Sequence, residues 1–437
     1  MVPRRRRLKK KVRYTLFFIV IFALFISLRG WRVFASDTKD NIEIQVEERA
    51  PVPINQIVEN ADSDIPEAAK FDKVVNNFMH QWSIAGASVA IMKDGNLIYS
   101  KGYGYADVEN GVPTEVKHIF RVASVSKLIT AVGIMKLVEQ GRLRLDDKVF
   151  SASGLLPEYD DYRDKRIESI TVEHLLRHQA GFGVGAGDAM FDGHKMGLEL
   201  PMSVSSLVRY SLKRGLRYSP GKSTIYSNIG YLVLESIIEK VTNQPYQTFI
   251  KDEILAPAEC FDMHIGQNLS SQRHENEVRY YEQSDAEPIP SADGSGRLLP
   301  KSNGGNNVEL FGGAGGWVAS PVELVRFVAS IDPNNPHSNV LSRESIKSMT
   351  ICEKSRLPIG WMGVTANDDW WRSGSMAGTS AMVRRQSNGY TWAFITNTSN
   401  WKGYVFSRMI NDMMRKAFDK VAEWPEKDLF SKGAVQE

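Results

Sequence analysis

Apolar and polar positions divide the chain into two strand-rich ends and a helical middle. Ala87 to Met92 and Asn96 to Tyr103 are β-type runs on either side of Asp94-Gly95, a pair that supplies the positive φ angles of a tight hairpin. Ser380 to Arg385 and Tyr390 to Thr396 repeat the arrangement around Asn388-Gly389. Between the hairpins, Leu128, Ala131, Val132, Met135 and Val138 recur at helical spacing, and Gly141 follows, a residue favoured just past a helix. Val172 to Arg177 and Ile229 to Val241 read as further helices. Beyond the second hairpin, Val405, Met409, Ile410, Met413 and Ala417 mark a last helix, with Pro425 after its end. Strands at both ends and helices between them predict an α/β (α+β) fold, a sheet closed by the two ends of the domain with a mainly helical lobe inserted. Ser291 to Gly316, rich in Gly, Asn and Ser, is expected to be a long loop.

The 437 residues are 42% hydrophobic and 24% charged, which excludes a disordered, collagenous or multi-span membrane chain. A formal charge of +3 misleads, because residues 1–32 carry ten Lys or Arg and no acid, leaving 44 basic against 51 acidic residues, or −7, in the remainder. A nucleic-acid partner therefore has no support in the charge. The ten cations flank the apolar run Thr15 to Leu28, so residues 1–35 read as a signal peptide or signal anchor with its basic end cytoplasmic. Retention through residues 14–32 is the favoured expectation, placing the rest in the periplasm or on the outer face of the inner membrane. Residues 36–65, acidic and punctuated by Pro51 and Pro53, are expected to be a linker, 66–425 the catalytic domain and 426–437 a tail. Cys260 and Cys352 are too few for a disulfide framework and leave open whether they pair.

Three short segments carry the candidate chemistry. Ser124-Val125-Ser126-Lys127 opens the helical stripe, which sets a hydroxyl and an amine three positions apart on one face at a helix N-terminus. A serine hydroxyl attacks poorly by itself. An amine whose pKa is lowered by burial can accept its proton, and the helix terminus favours developing negative charge. In Tyr226-Ser227-Asn228, a phenol and a carboxamide two residues apart can converge from a turn, one relaying protons and the other orienting an amine or a carbonyl. Arg372-Ser373-Gly374-Ser375 precedes the closing hairpin on an expected edge strand, able to pair with extended substrate. There Gly374 would permit close backbone approach, and the Arg372 fork would suit a carboxylate. Trp370 and Trp371 beside them could wall the pocket or pack beneath the strand.

In this order the segments resemble the serine beta-lactamase and penicillin-binding-protein superfamily, particularly its class C-like branch with D-amino-acid carboxypeptidases and esterases. The resemblance runs from about residue 70 to 420. Supporting stretches are Phe120 to Ser124, Thr171 to His178, Tyr226 to Tyr231 and Gly312 to Trp317. It implies a five-stranded antiparallel sheet flanked by helices, a second helical lobe and an active site between them. Ser124 would form an acyl-enzyme, Lys127 and Tyr226 would share the proton transfers, and Asn228 would orient groups. The backbone amides of Ser124 and Ser375 would form an oxyanion hole. Arg372 departs from the Lys or His usual in the family. Its permanent charge and bidentate geometry favour substrates ending in a carboxylate, such as D-alanyl peptides or beta-lactams, over the neutral ester of a carboxylesterase.

His174 and His178, four residues apart, lack the His-Glu-x-x-His order of a metal site, so a structural role is expected. Gly181 to Gly187 lacks the strand-to-helix context of a dinucleotide loop, and no Gly-x-Ser-x-Gly elbow is present. The expectation is an exported serine hydrolase with no metal or cofactor, acting on a small molecule or peptide. A catalytically silent, membrane-tethered binding module is the alternative from another class.

Overall fold

Asp94 and Gly95 adopt φ angles of 49° and 97°, and Gly389 adopts 88°, so both expected hairpins close on residues in the left-handed region. The computed structural model describes residues 51–183, 193–353 and 356–434. The expected leader, residues 36–50 of the expected linker and Val184 to Gly187 lie outside the described residues.

The first hairpin joins β1 (Gly86–Lys93) and β2 (Asn96–Asp107); a two-residue strand β3 (Val112–Pro113) follows. The C-terminal strands are β4 (Gly363–Val364), β5 (Trp370–Met376), β6 (Thr379–Arg385) and β7 (Tyr390–Thr396). They form one sheet in the order β3-β2-β1-β7-β6-β5-β4, antiparallel at every step. The five long strands match the expected five; the two-residue strands at the edges make it seven. β1 against β7, from Ala87 opposite Thr396 to Lys93 opposite Tyr390, joins the two ends of the domain.

Both faces of this sheet are covered, so its central strands are apolar almost throughout rather than alternating. Val89, Ile91, Trp392 and Phe394 face a layer made by α1 (Ala69–Gln81) and the last helix, Phe406–Phe418. Phe78 stacks on Phe406 there, ring centroids 5.4 Å apart. Ala90, Met92, Ala393 and Ile395 face the opposite layer, which contains the helix Pro321–Ser330 and the inserted lobe. At the centre of that lobe runs α2 (Ser126–Glu139), followed by α3 (Val172–Leu176) and α4 (Asn228–Thr242). The expected stripe on α2 understates its burial: every residue from Ser126 to Met135 is buried, because helices, sheet and glycine turns surround it.

Two domain boundaries need correction. Residues 51–65 fold onto the domain instead of linking to it: Ile54 and Val58 are buried, and Asn55 Nδ2 donates to Asp262 Oδ2 at 2.9 Å. Residues 426–434 are likewise no free tail. Leu429 N–H donates to Leu97 O at 2.8 Å, Phe430 is buried, and Lys432 pairs with Asp62 at 2.6 Å. The stretch 291–316 is also more ordered than a loop, being built of tight turns whose last part, Gly312–Gly316, is buried against α2 and α4.

Candidate functional site

Ser124 sits in a single 3₁₀ turn, Ala123–Val125, that leads into α2. Ala123 enters the turn at φ 46°, an uncommon backbone region for a residue with a side chain and one that often marks functional strain. The second serine of the segment is structural: Ser126 Oγ donates to Ala123 O at 2.7 Å and accepts from Trp317 N–H at 3.1 Å. Tyr226, Ser227 and Asn228 form the start of α4. Ser227 is its N-cap, the hydroxyl accepting from Gly230 N–H, so Tyr226 and Asn228 project from either side of a fixed cap.

Segments a hundred residues apart meet on one hydroxyl. Lys127 Nζ donates to Ser124 Oγ at 3.2 Å, to Asn228 Oδ1 at 2.7 Å and to the carbonyl of Ala314. Tyr226 Oη lies 2.6 Å from the same Oγ. Lys127 is wholly buried, and burial, reinforced by the charge of Arg372 against an opposing pull from Tyr226, lowers its pKa to about 8. Burial alone would raise Tyr226. The neighbouring charges of Lys127 and Arg372, together with hydrogen bonds from Lys127 and to Ser124, outweigh it and hold the phenol below its ordinary value. Both neighbours donate to the Ser124 hydroxyl, and the lowered pKa of each makes it easier for that neighbour to give up its own proton and then accept the one on Ser124.

Arg372 is placed differently from expectation. It is buried, 1% exposed, beneath β5; Nε donates to Ser124 O at 2.8 Å and Nη2 to Tyr226 Oη at 3.2 Å. Its fork is committed inside the protein rather than offered to a substrate carboxylate. The reason lies in strand alternation: Arg372 and Gly374 face the Ser124 turn, while Ser373 and Ser375 take the other face. β4 pairs only with Trp370 and Trp371, so β5 has an open edge from Arg372 onward, as an edge strand requires. A Cβ on Gly374 would stand 2.2 Å from Val122 O and 2.7 Å from Ser124 N, so glycine alone lets the strand lie this close to the serine turn.

A cleft of about 820 Å³ opens over this cluster. Ser124, Tyr226, Asn228, Ser373, Gly374 and Ser375 all line it, as do Gly315 and Met362. Two exposed aromatics, Trp401 and Tyr404, stand at its wall. Trp370 instead packs inward against Trp361, and Trp371 against the outer apolar layer.

Two further residues had no assigned place in the expected site. Glu235, one of two acids in the otherwise largely apolar α4, accepts from Gly313 N–H at 2.6 Å, and burial raises its carboxyl to about 8. This bond fixes the glycine turn that presents the Ala314 carbonyl to Lys127. His178 touches the Tyr226 ring, whereas His174 Nδ1 accepts from Thr171 N–H at its own helix start. Among the described residues no group of three His, Cys, Asp or Glu is placed to hold a metal ion. Cys260 is buried and Cys352 exposed, both as free thiols, which answers the pairing left open by the sequence.

Residues 71–411 match the Beta-lactamase family model. The protein flp of Staphylococcus aureus (strain N315) is 29% identical over 208 residues, 47% of this chain and 40% of that protein. A penicillin-binding protein of Bacillus subtilis (strain 168) is 32% identical over 183 residues, 41% of this chain and 37% of that protein. The matches thus span less than half the length of these relatives. Among solved structures, the D-amino acid amidase from Ochrobactrum anthropi SV3 complexed with L-phenylalanine amide superposes with a TM-score of 0.63 at 20% identity, covering 82% of this chain and 99% of that one. The octameric penicillin-binding protein homologue from Pyrococcus abyssi gives 0.60 at 23%, covering 78% and 77%. At these identities the likeness shows the fold alone. The family match takes in well over half of the chain, and both hairpins, the serine turn and the glycine turn fall within it: the chain belongs to the Beta-lactamase family of serine hydrolases.

Proposed function

We propose that the protein hydrolyses an amide or ester bond through an acyl-enzyme on Ser124. The observation that carries this is the Ser124 hydroxyl held 3.2 Å from a buried amine and 2.6 Å from a phenol at the floor of an open cleft. In the acylation step Ser124 Oγ bonds to the substrate carbonyl carbon, and its proton passes to the Lys127–Tyr226 pair. The bond to the leaving amine or alcohol then breaks, and the same pair returns the proton to it. Water repeats the sequence on the acyl ester, with its proton returned to Ser124 Oγ. The backbone amides of Ser124 and Ser375 are assigned to the oxyanion; one such donor is worth about two to three orders of magnitude in rate.

The inward Arg372 favours substrates recognised without a terminal carboxylate, esters or amides of apolar acyl groups that Trp401 and Tyr404 can cover. Beta-lactams and D-alanyl peptides become the second choice. The basic, apolar leader supports action outside the cytoplasm, anchored to the membrane. Intact-mass analysis after treatment with a fluorophosphonate probe tests the central claim: one adduct is expected, absent in Ser124→Ala. Adduct formation that survives Ser124→Ala overturns it.

A further inference from the structure

His178 follows α3 with its backbone in the left-handed region, φ 58°, and is 5% exposed. Histidine tolerates that conformation better than most residues with a side chain. The preceding Arg177 anchors the turn, its Nε donating to Glu173 Oε1 at 2.9 Å and its Nη1 to Leu357 O at 2.6 Å. From this fixed point two hydrogen bonds reach the start of α4. The His178 carbonyl accepts from Ile225 N–H at 3.0 Å, and its Nδ1 accepts from Ser227 N–H at 3.2 Å.

Tyr226 is the residue between those two donors. Its ring also lies on the imidazole, centroids 4.5 Å and planes 35° apart, with Tyr231 against the same imidazole at 5.2 Å. A tyrosine bonded through both neighbours and stacked along its ring has little rotational freedom, so its phenol is held in reach of Ser124 before any substrate arrives. We infer that His178 is a positioning residue, a neutral imidazole that clamps the Ile225 to Ser227 turn and thereby aims the Tyr226 phenol at Ser124.

Neutrality is part of the device. Nδ1 must keep its lone pair to accept from Ser227, and a second proton would convert the acceptor into a donor. The groups that face the ring are Lys127 from α2, Arg372 from β5, and Tyr226 and Tyr231 at α4. Burial, then the charges of Arg372 and Lys127, hold the imidazole well below its ordinary pKa. The inference rests on the proposal that Ser124 is acylated with help from Tyr226.

The test compares His178→Phe, which keeps the stacked ring and removes the acceptor, with His178→Asn, whose side-chain oxygen can still accept. Acylation is followed with a fluorophosphonate probe and turnover with p-nitrophenyl acetate, each in wild-type and Tyr226→Phe backgrounds. His178→Phe is expected to lower kcat about a hundredfold with KM within about twofold, and His178→Asn to recover most of that loss. In the Tyr226→Phe background the same change should cost less than about threefold, because the group it positions is gone. Wild-type rates in His178→Phe would overturn the inference, as would an equal loss in both backgrounds. Should His178→Phe fail to fold, His178→Leu, which also lacks the acceptor, takes its place in both backgrounds and is judged by the same criterion. Probe labelling of Ser124→Ala would instead sink the acyl-enzyme proposal itself.

Discussion

Arg372 donates from Nε to the backbone carbonyl of Ser124 at 2.8 Å and from Nη2 to Tyr226 Oη at 3.2 Å. One guanidinium thus braces the serine turn and supplies positive charge to the phenol beside it. A lysine could make either contact but would not fork between the two, which gives the arginine a role inside the site.

Arg372→Ala should therefore lower acylation by about a hundredfold on every substrate, with and without a carboxylate, since it removes a charge that Tyr226 depends on. Arg372→Lys should recover part of the loss. The measurement is kcat/KM over matched ester pairs differing only in a terminal carboxylate. A loss confined to the carboxylate-bearing members would restore the clamp that the sequence suggested.

The pH dependence follows from Lys127, whose pKa is lowered to about 8 by burial. A lowered lysine pKa means that the neutral, proton-accepting form gains population as pH rises through that value. At pH 7 roughly one molecule in ten carries it, against roughly one in three thousand at the ordinary value of about 10.4. The acylation rate should rise with pH up to about 8 and then flatten, and Lys127→Ala should lose both the limb and most of the rate. A profile flat from pH 6 to 9 would exclude Lys127 as the proton acceptor.

The sequence carried most of what depends on local chemistry. Asp94-Gly95 and Asn388-Gly389 announced their hairpins because a tight turn needs positive φ within two residues. Ser124 and Lys127 were legible because three residues make nearly one helical turn. The inward aim of Arg372 was not, since the same alternation permits either face and only packing over Ser124 chooses one. Nor could the sequence place Asn55 on the domain, because its partner Asp262 is 207 positions away. His178 showed only a spacing to His174, while its function depends on bonds to Ile225 and Ser227 across an intervening segment.

The thiols offer a separate check on the packing. Cys260 is buried, with burial raising its pKa well above the ordinary value, and Cys352 is exposed. Iodoacetamide at pH 8 should alkylate Cys352 alone in the folded protein and both residues in denaturant, since the exposed thiolate is the reactive form. Mass mapping reads this directly. A mass two hydrogens short in the untreated protein, with neither thiol reactive, would contradict two free cysteines.

Gly374 gives the sharpest steric prediction. A methyl group at this position would meet Val122 O at 2.2 Å and Ser124 N at 2.7 Å, and both are backbone atoms that cannot swing aside. Relief requires β5 and the serine turn to separate. That moves Arg372, Tyr226 and Ser124 relative to one another, and a displacement near 1 Å is worth about a hundredfold in rate. Gly374→Ala should accordingly cut probe labelling of Ser124 by at least about that factor and lower stability by roughly 1–3 kcal/mol, as overpacking does. Ser373→Ala, on the opposite face of the strand, should change stability by less than about 1 kcal/mol. Labelling kinetics and thermal melts of the two variants side by side check this, and wild-type labelling in Gly374→Ala would mean that the strand does not lie against Ser124.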